Sequence, residues 1–237
     1  MALPKINDDK PIYEVTLPTN GRTYKYRPFL VKEQRNILMA SESGSPRESV
    51  LSMIQCIESC APDVKIKEMC TAEVDYVFLH IRSKSVGETT DLNFKCKKCE
   101  AQSTVTIDLT KVDISGYQEN DIVVLNDEIK LKLKRTTYDD TLKNINEITE
   151  EESSSELIFK TLKIALHSLE VNDELIMFAD ESEEEIDQFL NSLNPDQLEK
   201  CINFIRDLPK LQYKTEFTCK KCEEHNEVLL EGFQDFF

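Results

Sequence analysis

The sequence predicts an α+β fold, in which helical halves carry β-hairpins and are joined by a composite four-cysteine site of the zinc-ribbon type. Three observations predict this fold: amphipathic helical stretches with start signals, short alternating strands around turn signals, and two Cys-x-x-Cys motifs that each lie between predicted strands. We call these motifs the first knuckle (residues 96–99) and the second knuckle (residues 219–222). The expected domains are 1–119, with the first hairpin, helices and first knuckle, and 120–237, with the second hairpin, helices and second knuckle, packed as one unit.

The composition limits the classes of function. The chain has 237 residues, of which 40% are hydrophobic, so it can bury a sizeable core. Its formal net charge of −16 argues against nucleic acid and anionic membranes as partners, since both favour a basic surface. No apolar run approaches the roughly 20 residues that span a bilayer, and Met1–Lys5 does not begin a signal peptide. Eight cysteines without a signal peptide predict a reducing compartment and metal binding rather than disulfides.

The first half of the chain begins with a predicted β-hairpin at Ile12–Arg27. Apolar and polar residues alternate there, and Asn20-Gly21 supplies the turn. Three helices follow, each identified by an apolar stripe and a start or stop signal. They are expected at Val31–Ser41 with Gly44 as the stop, from the capping box Ser45–Glu48 to Ala61, and from an N-cap at Thr71 to Ser85.

The second half begins with another predicted hairpin, whose strands Ile122–Leu125 and Ile129–Leu133 flank a polar turn. Its helices are again identified by apolar spacing and capping boxes. They are expected at Leu142–Ile148, Leu157–Leu169, from Ser182 to Leu193 and from Asn194 to Leu208. The acidic, serine-rich stretch Glu147–Glu156 is interpreted either as a mobile connector or as a solvated helix start.

The two knuckles together predict a metal site. Each has a Phe two residues before its first cysteine and a Glu directly after its second, so the two copies match in their flanks as well. A Cys-x-x-Cys turn between strands presents two thiolates, and two such turns supply the four ligands of a closed tetrahedral zinc site. The predicted ligands of one structural Zn²⁺ are Cys96, Cys99, Cys219 and Cys222, which would tie the middle of the chain to its end.

Other interpretations of the same residues stay open at this point. One Cys-x-x-Cys motif alone also fits a redox motif, a disulfide or two buried thiols, but neither copy opens a helix after a buried strand, as a thioredoxin-like motif does. Four cysteine ligands leave no open position for water, which argues against a catalytic metal. His225 is either an alternative ligand, a neighbour of the site or an exposed loop residue. His80 lies on the helix that follows Thr71 and is expected to be a histidine at the boundary of the core rather than a metal ligand. Cys56 and Cys60 are expected in the core.

Five longer segments carry a family resemblance. They are Thr16–Pro18, Tyr26–Glu33, Leu38–Gly44, Tyr76–Glu88 and Leu229–Phe237. These segments resemble the T4-like bacteriophage baseplate hub subunit family. The resemblance covers nearly the whole chain and is weakest over Asn120–Glu156.

The resemblance implies a structural or assembly role at the hub of a contractile-tail baseplate, without enzymatic activity. It implies other phage hub or tail proteins as partners, and a location in the host cytoplasm during assembly or in the tail baseplate of the virion. The residues agree, because the chain contains no phosphate-binding Gly loop, no nucleophile elbow and no usable His/Asp/Ser set, and so no predicted catalytic residue or small-molecule substrate.

Two alternatives of other classes are a zinc-ribbon nucleic-acid-binding regulator and a metalloenzyme. The regulator is supported by the knuckles with Lys97-Lys98 and Lys220-Lys221, and opposed by the net charge and by the lack of interleaved aromatic residues. The metalloenzyme would need an exchangeable water on the metal.

The aromatic C-terminus is a candidate binding surface. Gly232–Phe237 contains three Phe residues, and exposed aromatic side chains often mark interaction sites. The first hairpin, around Tyr24 and Tyr26, is expected to contribute. The alternative is that Phe233 and Phe236 close the protein's own core over the zinc site.

Overall fold

The computed structural model describes residues 11–116, 121–140, 154–172 and 174–236. The chain forms two compact units: the first comprises Met1–Ser115 and Lys210–Phe237, and the second comprises Gly116–Pro209. The second unit is therefore inserted, in sequence, into the first. The boundaries of these units differ from those of the predicted halves 1–119 and 120–237. That the two halves are folding domains stays a prediction.

The helices that run for at least ten described residues are α1 (Val31–Glu42), α2 (Pro46–Cys60), α3 (Thr71–Ser85), α4 (Ser154–Ala165), α5 (Glu183–Ser192) and α6 (Pro195–Arg206). The strands are β1 (Tyr13–Thr16), β2 (Thr23–Tyr26), β3 (Thr89–Lys95), β4 (Gln102–Asp108), β5 (Asp113–Ser115), β6 (Ile122–Val124), β7 (Ile129–Leu133), β8 (Leu166–Val171), β9 (Glu174–Met177), β10 (Lys210–Thr218) and β11 (His225–Glu231). Helices and small antiparallel sheets confirm the predicted α+β class.

The first unit opens with the predicted hairpin of β1 and β2, in which Tyr13 pairs with Tyr26 and Thr16 with Thr23. Its turn forms because Gly21 adopts φ +69°, a left-handed conformation that costs glycine no steric energy. The amide of Gly21 donates to the carbonyl of Leu17 at 2.9 Å and closes the turn.

The predicted cap is confirmed for α2 and is displaced by one residue for α3. Ser45 caps α2 by accepting a hydrogen bond from the amide of Glu48, and Pro46 occupies the first turn, where its missing N–H costs nothing. For α3 the predicted cap was wrong by one residue: Cys70 is the N-cap, and the carboxylate of Glu73 accepts from its amide at 3.0 Å. Thr71 is instead the first helical residue, because the reciprocal bond of Glu73 fixes the helix start one position earlier.

Two β-hairpins carry the knuckles. β3 pairs with β4 and β10 pairs with β11, both antiparallel, and the short strand β5 extends the second sheet along β10. The strand β5 was not predicted from the sequence. Its three residues show too little alternation to be recognised as a strand, and pairing with β10 is what orders them.

One hydrophobic core cluster of the first unit lies between α3 and the two hairpins that carry the knuckles. The buried members of this cluster are Leu79, Ile107, Leu109, Val112, Leu211, Leu230 and Phe236. Phe236 is fully buried, which fits the core alternative for the C-terminal aromatics, and Tyr26 is also buried, so the expectation that Tyr26 forms a binding surface was wrong. Both rings bury a large apolar area, which favours the core over the surface. The side chains of Phe233 and Phe237 lie outside the described residues.

The second unit is built on the antiparallel sheet β6-β7-β8-β9, and the predicted hairpin of β6 and β7 is confirmed. Helices α4, α5 and α6 contribute to its core together with the sheet. The buried members of the core cluster that they share are Val123, Leu125, Leu131, Leu133, Leu162, Ala165, Leu166, Phe178, Leu190, Cys201 and Phe204. The predicted capping boxes at Ser182 and Asn194 begin α5 and α6.

One helix prediction in the second unit was partly wrong. The stripe over Leu157–Leu169 was expected to be a single helix, but the helix ends at Ala165 and residues 166–171 form β8. Leu133 pairs with Leu166 and Leu131 with Leu169, across an irregularity in the register. Because of this irregularity, Leu166 and Leu169 can be three residues apart and still pair with Leu133 and Leu131, which are two residues apart. Their spacing therefore fits a strand as well as a helix, and pairing with β7 decides between the two. The strand β9 was not predicted.

The predicted helix at Leu142–Ile148 lies outside the described residues, as do residues 147–153 of the acidic stretch, while Ser154–Glu156 begin α4. Within the described ranges, no helix combines the length and the apolar character required to cross a bilayer.

Candidate metal centre

The first knuckle is a tight turn between β3 and β4. The amide of Cys96 donates to the carbonyl of Ala101 at 2.9 Å, and the amide of Glu100 donates to the carbonyl of Cys96 at 2.9 Å. Glu100 adopts φ +57°, in the left-handed region. These bonds close the loop so that the side chains of Cys96 and Cys99 project from the same turn.

The second knuckle repeats this geometry between β10 and β11. The amide of Cys219 donates to the carbonyl of Glu224 at 2.8 Å, and the amide of Glu223 donates to the carbonyl of Cys219 at 2.9 Å. Glu223, which corresponds to Glu100, adopts φ +59°. The match that the sequence shows in residue types is therefore also a match in backbone conformation.

The fold brings the four predicted cysteines together. The sulfur atoms of Cys96, Cys99, Cys219 and Cys222 all lie within 4.8 Å of one another. Sγ of Cys96 is 3.6 Å from Sγ of Cys222, and Sγ of Cys99 is 3.6 Å from Sγ of Cys219. A tetrahedron with Zn–S bonds of about 2.3 Å has sulfur–sulfur edges of about 3.8 Å. The four thiols can therefore hold one tetrahedral metal ion.

The close sulfur pairs are crossed between the knuckles. Sγ of the first cysteine of each knuckle lies 3.6 Å from Sγ of the second cysteine of the other knuckle, and these equal distances fit two equivalent turns related by a local two-fold axis. The flanking aromatic residues follow the same relationship, because Phe94 and Phe217 stack with ring centroids 6.1 Å apart. Each knuckle thus contributes equivalent atoms to the site.

Asn226 connects the two knuckles and was not predicted from the sequence. It is 1% exposed. Its side-chain oxygen accepts from the amide of Lys97 at 2.9 Å, and Nδ2 lies 3.6 Å from Sγ of Cys96 and 2.9 Å from the carbonyl of Glu224. One amide side chain on β11 therefore holds the backbone of the opposite knuckle and donates to one of the sulfur atoms.

A weak sequence signal for Asn226 exists. The residue shares its strand face with Val228 and Leu230, so it is a polar residue at an inward position of an alternating strand. Such a residue requires partners when it is buried. The corresponding position of the first knuckle is Ser103, which pairs with Phe94 as Asn226 pairs with Phe217.

The backbone of the knuckles favours thiolates. Hydrogen bonds from the amides of Cys99 and Lys98 lower the pKa of the Cys96 thiol to about 6. The amides at the equivalent positions of the second knuckle lower the pKa of the Cys219 thiol. Because thiolates are the form of cysteine that binds metal, the turns prepare both sulfurs as ligands.

The lysines of the first knuckle are engaged within the protein. Nζ of Lys97 donates to the carbonyl of Glu227 at 2.8 Å, and Nζ of Lys98 lies 2.9 Å from the carboxylate of Glu224. Both contacts cross from one knuckle to the other hairpin. These two lysines therefore add to the junction of the hairpins.

The histidines considered from the sequence lie outside the cysteine group. His225 is exposed at the start of β11, with Nε2 3.3 Å from the carboxylate of Glu216. The ring of His80 contacts that of Tyr76, with centroids 4.5 Å apart, on α3. Cys56 and Cys60 are buried, as expected for core residues.

A family model described as T4 bacteriophage base plate protein matches residues 10–237. The chain belongs to this family. The match includes both knuckles and both units, and it confirms the resemblance seen in the five sequence segments. Neither the curated proteins nor the solved structures yielded a match to the chain. The four-cysteine centre is thus a feature of a baseplate family protein.

Proposed function

We propose that this baseplate family protein is a non-enzymatic structural or assembly protein of the baseplate hub of a contractile-tailed bacteriophage. The observation that carries the proposal is the family match over residues 10–237. Its partners are other hub or tail proteins of the phage, and it acts in the host cytoplasm during assembly or in the tail baseplate. No small-molecule substrate, nucleic acid or membrane belongs to this role.

We also propose that Cys96, Cys99, Cys219 and Cys222 hold one structural Zn²⁺. The sulfur–sulfur distances of 3.6 Å support it, since they are close to the edge of a ZnS₄ tetrahedron. Four thiolates complete the coordination of the metal and leave no position for water or substrate, so the ion supplies stability rather than catalysis.

The zinc would join two parts of the first unit that are remote in sequence. The knuckles enclose residues 100–218, which include the whole inserted second unit. Because such a site does not exist in the unfolded chain, the free energy of metal binding becomes free energy of folding. The ion would fasten the hairpin of β10 and β11 to the hairpin of β3 and β4 within the first unit.

The alternative of a nucleic-acid-binding regulator has less support. The amines of Lys97 and Lys98 already bind groups of the opposite hairpin, and the chain carries a formal net charge of −16. A partner with a phosphate backbone would find these two amines already in contact with the protein and would meet a repulsive overall field.

The structural role is tested by purifying finished tails and hub assembly intermediates from infected cells and identifying their chains by mass spectrometry. We expect the protein in the tails, in the intermediates or in both, and no hub in an infection that lacks its gene. Absence from both fractions, together with normal tails in the deletion, would overturn the proposed role.

The zinc proposal is tested by elemental analysis of freshly purified, reduced protein. We expect one equivalent of zinc per chain, and loss of that zinc in the variant Cys99→Ser. The matched control is Cys70→Ser, because Cys70 caps α3 and lies outside the cysteine group. Clearly less than one equivalent in the wild-type protein, or zinc retained by Cys99→Ser, would contradict the assignment.

A further inference from the structure

The four-stranded sheet of the second unit has two edge strands, and one of them is protected. On β6, the carbonyl of Val124 accepts from Nζ of Lys200 at 2.9 Å. Directly after β6, the carbonyl of Leu125 accepts from Nε2 of Gln197 at 3.3 Å. Side chains of α6 thus satisfy backbone groups along this edge, which prevents another strand from pairing there.

The other edge strand, β9, lacks this protection. Glu174–Met177 pair with β8 on one side. Within the described ranges, these residues make no further hydrogen bond or ion pair. Leu175 is 65% exposed and its neighbour Ile176 is 38% exposed, although they point to opposite faces of the sheet. An edge with unpaired backbone groups and apolar side chains on both faces is a template for another strand.

One edge strand of the first unit, β11, also has backbone groups that are bound by side chains. β11 lies at the edge of its sheet, and its backbone accepts from Lys97 at the carbonyl of Glu227. The amide of Glu231 donates to the carboxylate of Asp235 at 2.8 Å. β9 therefore differs both from the opposite edge of its own sheet and from an edge strand of the other unit.

The negative charge around β9 favours a basic partner. Residues 170–185 contain eight Asp and Glu and no Lys or Arg. The second unit as a whole has 23 acidic and 9 basic side chains, whereas the first unit has 22 and 20. A second copy of the chain would bring two strongly acidic surfaces together, and like charges oppose that approach. A basic segment would instead be attracted to the edge.

We propose that the edge of β9 binds an extended, basic segment of another protein, which adds a fifth strand to the sheet of the second unit. Backbone groups of Glu174–Met177 would form the ladder, Leu175 and Ile176 would contact apolar side chains on alternate faces, and lysines or arginines of the partner would face the acidic surroundings. This inference rests on the proposed structural role, because it names the surface by which such a protein binds a neighbour.

The experiment uses the full-length, ¹⁵N-labelled protein and a ten-residue peptide in which Val-Val pairs alternate with Lys-Lys pairs, so that Val and Lys both occur on each face of the added strand. We expect slower hydrogen exchange for amides of β9 on addition of the peptide, unchanged exchange for β6, and an affinity that falls as salt is raised. A peptide with Glu in place of Lys is expected not to bind.

The variant Leu175→Lys is expected to weaken peptide binding by at least about tenfold, since a lysine on an edge strand opposes pairing with another strand. Val124→Lys on β6 is the matched control, because Val124 is 52% exposed on the protected edge, and it should change the affinity by less than about twofold. Both positions are exposed, so the folded state tolerates both substitutions.

The proposal is overturned if the two variants weaken binding equally, if protection appears away from β9, or if the acidic peptide binds as well as the basic one. A dimer of the protein alone that Leu175→Lys dissociates would assign the edge to a second copy instead. Failure of peptide binding leaves the baseplate role intact, whereas absence of the protein from tails and intermediates would remove that role without altering the peptide result.

Discussion

Phe94 on β3 and Phe217 on β10 stack with their ring centroids 6.1 Å apart and their planes inclined by 21°. Each ring lies two residues before the first cysteine of its knuckle. The aromatic pair therefore joins the same two hairpins as the four thiols, but it does so by apolar contact and without a metal. The junction of the hairpins therefore has an aromatic contribution that is separable from that of the cysteine group and from the polar contacts of Asn226, Lys97 and Lys98.

The aromatic contribution is measured by a double-mutant cycle. Phe94→Leu and Phe217→Leu should each destabilise the zinc-loaded protein, and their coupling energy should be about 0.5–1.5 kcal/mol, as for other aromatic pairs. Chemical denaturation of the two single variants and the double variant gives this value. A cycle between Phe94→Leu and Val31→Ala, at an exposed position of α1, is the control and should be additive. Additivity of the two Phe substitutions would show that the stacking contributes nothing.

Asn226 is predicted to stabilise the first knuckle from β11. Asn226→Ala leaves the amide of Lys97 without its partner, so the free energy of unfolding should fall by about 1–3 kcal/mol. Zinc affinity, measured by competition with a chelator, should fall by about 10- to 100-fold, as for other residues that hold metal ligands. The matched control is Ser103→Ala at the equivalent position of the first knuckle, which should change both quantities little. Equal effects of the two variants would contradict a special role for Asn226.

Removal of the metal is predicted to destabilise the C-terminal hairpin. Cys219→Ser, or a chelator on the wild-type protein, should lower the melting temperature and speed the hydrogen exchange of β10 and β11, because the long loop between the knuckles is no longer closed. Cys70→Ser should leave the melting curve and the exchange pattern nearly unchanged. A Cys219→Ser protein that has lost zinc yet melts like the wild type would show the ion to be dispensable.

Phe236 is predicted to be essential for stability despite its place near the end of the chain. Its side chain is fully buried in the core of the first unit, so Phe236→Ala should lower the free energy of unfolding by about 3–5 kcal/mol. Leu229→Ala, at a position that is 46% exposed on β11, should cost less than about 1 kcal/mol. Similar unfolding midpoints for the two variants would mean that the tail does not belong to the core.

Asp75 on α3 predicts an unusual dependence of stability on pH. Burial raises the pKa of its carboxyl group to about 7. Because the folded state holds this proton more tightly than the unfolded state, its contribution to stability is greatest below about pH 4 and is lost as the pH rises to about 7. Asp75→Asn should remove this loss, and it should stabilise the protein at pH 8 by roughly 1.4 kcal/mol for each unit of the pKa shift.

The control for Asp75 is Asp63→Asn, at an exposed position after α2, which should change the free energy of unfolding by less than about 0.5 kcal/mol. Denaturation curves measured from pH 4 to pH 8 give the comparison. If Asp75→Asn and the wild-type protein show the same pH dependence over this range, the buried carboxyl group is not its source.

The features that the sequence predicted well depend on residues close together in the chain. Ser45, Ser182 and Asn194 begin helices because each side chain accepts from an amide three residues later. The hairpin turn at Gly21 follows from its left-handed backbone. The matched flanks of the two knuckles likewise predicted two equivalent turns. In these cases, the residues that stabilise the conformation lie within four or five positions of one another, so a pattern in a short stretch of sequence is sufficient to predict it.

The sequence by itself thus determined the α+β class, most helix starts, the hairpins and the four cysteines as a candidate set. The tertiary structure alone decided that Leu166–Val171 is a strand, that β5 and β9 form, that Asn226 reaches the opposite knuckle and that Phe236 enters the core. The physical reason is that strands and buried polar groups are stabilised by partners remote in sequence, so their energy is absent from any local pattern.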